Sequence, residues 1–544
     1  MLQLEDMASA FLRFTDLDGK AIRLDLDALS GLSTEGRDPV SGQRRPDIAV
    51  AEDAAISGVR ETGEGWLITL ASGQVLTLPL ARLMDYGAPG LWRIEPRAWP
   101  QDGLANLPVH DYAAFAANAE IRRQVLLQLA VYGFARLGGA PVAPYELETL
   151  IATFGCVRET NYGRIFDVRT KMDAANLADT ALALAPHTDN PYRLSPPELQ
   201  VLHCLGAAGS GGQSVLVDGL SVVEALRSGA REDFDLLCRV PALFAWADET
   251  TRLECEAPVI SLKLDGSLDR IRYNPRSLQG ACTPSPDERA AWLAACSRLG
   301  ERLKTAPRVT FDMVPGDMVL MDNRRLLHGR TAFDGAGDVV RHLQGAYADI
   351  DGVHSTLRRL TEAHVAHELD ALETVFESEA LSQAYGEDIS LRDHMLQAAE
   401  GAVARQKGPD LVAAALLHDI GWGMAGTHET AAATLLAPRL GENVASLVRN
   451  HVDAKRYLVA VRPDYAANLS AASVETLGRQ GGPMTDAECR AFEGLPNFQD
   501  CLELRYLDEA GKEIRSPGTT FARYRELVRR LMIRNALAGA ISRR

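Results

Sequence analysis

The sequence predicts a multidomain α+β protein, strand-rich at its start, mixed through its middle and wholly helical at its end. Three observations predict this class. At 544 residues the chain exceeds what one hydrophobic core organises. The text "GWLITLASGQVLTLPL" alternates apolar and polar residues with the period of two that marks half-buried strands, around a turn at Ser72 and Gly73. Beyond Leu357 the apolar residues recur at helical spacing instead, as in "SLRDHMLQAAEGAVARQ", "THETAAATLLAPRL" and "NVASLVRNHVDAKRYL".

The elements follow in order. Alternation from Phe11 to about Leu80 makes residues 1–95 a small β-rich domain. "YGAPGLWRIEPRAWPQDG" concentrates Pro and Gly, which interrupt regular structure, and marks the first boundary. Residues 100–358 mix strand-like runs ("QSVLVDGL", "PGDMVLMDN") with helical ones ("DYAAFAANAEIRRQVLLQLAVYGF"), and residues 370–544 form an all-α domain.

Composition narrows the function. Apolar residues make up 46% and charged residues 24%, as in ordinary globular proteins. A formal charge of −16 opposes extended contact with nucleic acid or anionic lipid, so an anionic small molecule needs a locally basic pocket. No window approaches 18 uninterrupted apolar residues, and the first thirty residues carry neither a signal nor a transit pattern; a cytoplasmic protein is expected. The eight cysteines form no C-x-x-C pair. A homodimer stays open beside a monomer.

Two groups of residues carry chemistry. In "APHTDNPYR", His187 and Asp189 stand two apart, which on a strand turns both to one face. His328 in "DNRRLLHGRTAF" completes a facial triad of two His and one carboxylate, which leaves metal positions open for oxygen and a chelating co-substrate. Arg341, thirteen residues later, is expected beside His328 on the neighbouring strand, where its fork suits a carboxylate. The second group centres on "LLHDIGW". His418 and Asp419 are adjacent, about 100° apart on a helix, and share a metal only if the helix runs past it. His394 lies on a preceding helix, His428 opens the next one behind Thr427 as N-cap, and His451 and Asp508 follow. Four His with Asp419 exceed the needs of one divalent ion and fit two, with Asp419 bridging.

The set H-x-D, distant His and following Arg, together with "VLHCLGAAGSGGQSVLVDGL" and "RHLQGAYADID", resembles the γ-butyrobetaine hydroxylase and taurine dioxygenase superfamily, up to about Arg358. The resemblance implies a double-stranded β-helix (jelly-roll) core, mononuclear Fe(II), and hydroxylation coupled to conversion of 2-oxoglutarate and O2 into succinate and CO2. It also implies that Tyr162, Phe166, Tyr347 and, in place of a fourth aromatic, Asp179 surround a cationic nitrogen. Asn190, Asn274 and Arg276 are implied as further substrate contacts, the last two as donors to an oxyanion. The first cysteine is Cys156, so the structural zinc found in many N-terminal domains of that family is not expected.

The His-Asp doublet is the mark of the HD superfamily, mostly phosphohydrolases and occasionally oxygenases. "HVDAKRYL", "LSAAS", "QGGPM" and "DCLELRYLDE" resemble the HD-domain mixed-valence di-iron oxygenases that cleave the carbon–phosphorus bond of 1-hydroxyalkylphosphonates. Carried over by position, His394, His418, Asp419 and Asp508 bind one iron and Asp419, His428 and His451 the other, as an Fe(II)/Fe(III) pair. Lys455, Ser473 and Arg505 meet the phosphonate, and Glu387 meets the substrate ammonium. Tyr385 matches a gating Tyr only with a shift of one residue, since Ala384 holds the matching place. The resemblances together imply a bifunctional enzyme that hydroxylates C1 of an aminoalkylphosphonate, 2-aminoethylphosphonate or an N-methylated form, and then releases phosphate and an amino acid such as glycine. Asp179 favours a primary or partly methylated amine over a trimethylammonium group. The competing reading joins a carnitine-type hydroxylase to an HD phosphohydrolase.

Overall fold

The computed structural model describes residues 2–17, 19–45, 54–87, 90–104, 107–169, 181–207, 210–333, 341–384, 388–467, 469 and 471–538. Its described residues divide into two compact units, Ile94–Thr361, and residues up to Arg93 together with Glu362–Ala538, the division falling inside the helix Ile350–Phe376.

In the first unit a six-stranded sheet runs in the spatial order Val109–Asp111, Phe134–Gly138, Met318–Asp322, Leu199–Gly206, His342–Ala348, Ile165–Arg169. A four-stranded sheet runs Leu184–His187, Leu326–Arg330, Ser214–Asp218, Arg308–Phe311. Apolar residues of both sheets share one core: Phe134, Val319 and Met321 from the first meet Leu216, Val309 and Leu326 from the second. The segment read as one helical run breaks at Asn118, which ends Tyr112–Ala117 and caps Ala119–Tyr132 by accepting from the backbone N–H groups of Glu120 and Ile121. Helices Gly219–Gly229, Arg231–Arg239 and Pro286–Thr305 pack with a three-stranded sheet around Trp292, Leu237 and Phe244. A buried ion pair ties this unit together. Arg325 donates to Asp218, which also accepts from the Trp99 backbone and caps the helix that follows it.

The second unit holds two three-stranded antiparallel sheets, Leu2–Met7, Phe11–Asp16, Ala21–Asp25 and Ile56–Thr62, Gly65–Leu70, Val75–Pro79, around Phe14, Leu24, Trp66, Ile68 and Leu78. The turn read at Ser72 and Gly73 joins two of these strands, and Gly73 takes φ +84 there. The same unit contains the helices Leu391–Ala404, Pro409–Leu417, His428–Leu440, Glu442–Val461, Phe498–Ala510 and Phe521–Leu537. Ion pairs Arg530–Asp85 (2.7 Å) and Arg523–Glu61 (3.5 Å) join its β and helical parts.

Candidate metal centres

The first cluster sits on the four-stranded sheet. Antiparallel pairing brings His187 opposite His328, their ring centroids 4.5 Å apart, and Asp189 Oδ1 lies 3.5 Å and 3.7 Å from their Nε2 atoms. His187 Nδ1 is 2.9 Å from the Ala185 carbonyl, which only accepts; Nδ1 therefore carries the proton and Nε2 keeps a lone pair. Asp189 Oδ2 accepts from Gln200 Nε2 (2.6 Å) and the Tyr347 hydroxyl (2.7 Å), leaving Oδ1 toward the histidines. Burial pushes the Asp189 carboxyl up, but His328, His187 and the Tyr347 hydroxyl outweigh it and hold the group below the usual carboxylate range. Burial lowers His328 to about 4, so it stays neutral and able to ligate. Two imidazoles and one carboxylate fit a mononuclear divalent centre.

Around this cluster the structure brings together most of the residues expected from sequence. Tyr162, Phe166 and Tyr347 form a row of rings, with centroids 6.1 Å and 5.0 Å apart. Gly345 permits it, because an added Cβ would lie 2.4 Å from the Phe166 ring. Two rings missed in the sequence extend the row: Trp246 is 5.7 Å from Tyr162 and stacks on Tyr192 at 5.6 Å. Tyr192 donates to Asn190, which is buried with φ +53, a left-handed conformation that Asn tolerates. Asn274 is a bracket: its amide donates to the Thr188 carbonyl and its oxygen accepts from the Arg276 backbone, while the Arg276 charge acts on both Tyr162 and His328. Asp179 lies outside the described residues.

Arg341 departs from its expected strand. His328 lies between Leu184–His187 and Ser214–Asp218, whereas the strand that follows Arg341 pairs with Leu199–Gly206 and Ile165–Arg169 in the other sheet. The described strands on either side of residues 334–340 therefore belong to different sheets and do not pair as a hairpin. Arg341 is buried against the Phe333 ring at 5.7 Å, and Arg330, two residues past His328, approaches the same ring at 5.0 Å. Nothing in the sequence beyond the H-x-R spacing signals Arg330.

The second cluster lies among helices. Pro409–Leu417 ends just before the doublet, and the chain turns so that His418 and Asp419 converge. Gly421 is required in that turn, because an added Cβ would lie 2.1 Å from the His428 carbonyl oxygen. Asp419 divides its carboxylate: Oδ2 is 3.8 Å from His394 Nε2 and 3.6 Å from His418 Nε2, and Oδ1 is 3.3 Å from His428 Nε2 and 3.6 Å from His451 Nε2. Asp508 Oδ1 stands 3.4 Å from His394 Nε2 on the Oδ2 side. Nδ1 of His394, His418 and His451 faces the carbonyls of Gly511, Ala415 and Val448, and His428 Nδ1 is 3.2 Å from the Glu429 carboxylate.

The Nε2 atoms of His394 and His418 consequently meet at 3.1 Å, and those of His428 and His451 at 3.2 Å. Lone pairs facing at that distance repel unless a cation lies between them, so the donor set fits two metal ions that share Asp419. Burial raises the Asp419 carboxyl, but the surrounding imidazoles, His418 foremost, hold it at about 2. Burial, reinforced by His428, lowers His451 to about 3. Thr427 is the N-cap residue of its helix, yet its hydroxyl donates to Thr430 and caps no backbone N–H.

A cleft of about 620 Å3 opens on these ligands. Lys455, Ser473 and Arg505 line it, as do Thr476, Gln480, Lys512 and Trp422, which sequence reading missed. Lys455 Nζ donates to Thr476 (2.9 Å) and Lys512 Nζ to Ser473 (2.8 Å). Burial and the nearby Arg505 lower the Lys455 ammonium to about 8. Arg505 is held by Tyr465, Asp508 and Glu509. Trp422 stacks on His428 at 4.7 Å and 10°. Tyr385 and Glu387 lie outside the described residues.

Residues 100–347 match the family described as "Taurine catabolism dioxygenase TauD, TfdA family", and residues 391–510 match the HD domain. The chain is 38% identical over 265 residues to a γ-butyrobetaine dioxygenase of Pseudomonas sp. (strain AK-1), covering 48% of this chain and 67% of that one. It is 33% identical over 263 residues to the human γ-butyrobetaine dioxygenase (47% and 67% covered) and 32% over 265 residues to the mitochondrial trimethyllysine dioxygenase of Bos taurus (47% and 61%). Among solved structures, a taurine dioxygenase from Burkholderia xenovorans aligns with 19% identity and a TM-score of 0.33, over 47% of this chain and 89% of that one.

Proposed function

The chain belongs to the TauD/TfdA family of dioxygenases, is an oxygenase, and carries an HD domain in the same polypeptide; from that premise we propose that it degrades an aminoalkylphosphonate in two oxidative steps. The first site hydroxylates C1 of 2-aminoethylphosphonate or an N-methylated form, with 2-oxoglutarate and O2 yielding succinate and CO2. The second converts the 1-hydroxyphosphonate and a second O2 into inorganic phosphate and a carboxylate, which is glycine when the amine is primary. The observation that carries the reading is the divided Asp419 carboxylate, each oxygen facing its own pair of imidazoles, at the head of a cleft lined by Lys455, Lys512 and Arg505.

When bound, iron held by His187, Asp189 and His328 supplies oxidation of an unactivated C–H bond, and a pair held by the second cluster supplies O2 activation without an external reductant. The chain's own residues do the rest. The aromatic row from Trp246 to Tyr347 offers π-faces to a cationic nitrogen. Arg276 offers a guanidinium to the anionic end, and Arg341 a buried fork to the co-substrate carboxylate. In the second cleft Lys455 and Lys512 neutralise the phosphonate oxygens, while Ser473 and Thr476 orient them through the hydroxyls those lysines already hold.

Phosphorus NMR of the full chain with 2-aminoethylphosphonate, 2-oxoglutarate and air tests the reading: a 1-hydroxyphosphonate resonance should appear transiently and give way to inorganic phosphate. Phosphate released from the 1-hydroxyphosphonate under strict anaerobiosis would instead make the helical domain a hydrolase.

A further inference from the structure

We propose that Tyr347 couples the amine-reading wall of the first site to its metal ligand: the ring is part of the wall and the hydroxyl fixes Asp189, so that filling the wall changes how that carboxylate is held. The proposal rests on the cationic substrate put forward above. Tyr347 lies directly opposite Gln200 on the neighbouring strand, and both donate to the same Asp189 oxygen, at 2.7 Å and 2.6 Å. Two donors on Oδ2 turn Oδ1 toward His187 and His328. The Tyr347 ring is 5.0 Å from Phe166, and Phe166 is pressed onto the same strand at Gly345, where no Cβ fits.

A guest that displaces Phe166 must therefore move against the strand that carries the Tyr347 hydroxyl, because packed side chains transmit shifts that they cannot absorb. Both hydroxyls on the other tyrosines of the row are spent elsewhere, Tyr162 with Tyr192 and Tyr192 on Asn190. Gln200 is the internal control. It holds the same oxygen yet has no ring in the wall.

The test uses the full chain loaded anaerobically with Fe(II) and 2-oxoglutarate, and reads the visible charge-transfer band between them as 2-aminoethylphosphonate or its N-trimethyl derivative is added. Wild type should show a shift on addition. Tyr347→Phe keeps the ring, so the phosphonate should bind within about threefold of wild type. The band shift should nevertheless vanish, and in air the succinate formed per hydroxylated product should rise several-fold. Gln200→Met, near in shape and lacking the donor, should weaken iron binding by about tenfold and keep the shift. A Tyr347→Phe chain with the wild-type shift and coupling overturns the proposal. So does loss of the shift in both variants, which would reduce Tyr347 to a prop for Asp189. A wild-type band that no aminoalkylphosphonate moves refutes the substrate reading and the proposal together, and is seen before any variant is made.

Discussion

The two metal clusters use the same donors on opposite kinds of scaffold. An antiparallel register sets His187 opposite His328, but the strand ends at His187, and Asp189 reaches them from the bend two residues beyond, where its backbone N–H donates to Asn323 Oδ1 (2.7 Å); three residues and one strand end define the centre. On helices the ligands come from four separate helices and the turn after a fifth, and the adjacent doublet works only because Pro409–Leu417 stops before it. A strand builds a small centre from local geometry. A helical bundle builds a larger one from tertiary packing, and there a single bridging carboxylate becomes the point on which both metal positions depend.

That contrast can be broken outright. His187→Ala should abolish succinate formation while phosphate release from a supplied 1-hydroxyphosphonate continues, and Asp419→Ala should do the reverse, each by about a thousandfold or more on the affected step. Product analysis by phosphorus NMR checks both, and loss of both steps from either folded variant would sink the two-site account. Metal analysis sharpens it: three ligand groups predict about three iron per loaded chain, and Asp419→Ala should lose both of the helical ions and the mixed-valence paramagnetic signal, keeping one.

The next effects are smaller. Arg325→Met leaves Asp218 buried without its partner and should destabilise the strand-built unit by about 3–5 kcal/mol, seen in thermal unfolding. The helical site should respond to pH instead. Lys455, held near 8 against an ordinary 10.5, is charged below that value and neutral above it, so KM for the second step should climb about tenfold per pH unit beyond 8. Lys455→Arg should flatten the climb in steady-state kinetics, since guanidinium keeps its charge. Least of all, Thr427→Ala should change the melting free energy by less than about 0.5 kcal/mol, because its hydroxyl caps no backbone group.

Legibility in the sequence followed the range of the interaction. Lys455 four residues after His451 was readable because the helix period is local, whereas H-x-D and the His-Asp doublet were readable only as short spacings of ligand residues, since both fold just past the end of a strand or helix. Gln200, Trp246 and Thr476 reach their sites from other strands or helices, and cross-element contacts leave no period in the text; Tyr192 and Lys512 follow Asp189 and Asp508 closely, but in turn and loop segments that have no period either. The expected place of Arg341 on the strand beside His328 failed for the same reason: the strand of His328 and the strand that follows Arg341 belong to different sheets, and a spacing of thirteen residues reads alike whether the two strands pair or not. The break at Asn118 was signalled by a capping residue inside a helical run, and strong periodicity on both sides masked it.

Four of the six metal-facing imidazoles are oriented through carbonyl oxygens of the main chain, at Ala185, Ala415, Val448 and Gly511. Such an acceptor survives any replacement of the side chain on its residue. The orientation of these ligands is thereby insulated from point mutation at the residues that orient them, and selection is free to rework the cleft walls for a new substrate while the inorganic centres stay in place. His328, whose Nδ1 has no partner among the described residues, and His428, which faces Glu429, are the two positions where a neighbouring mutation can still retune a metal.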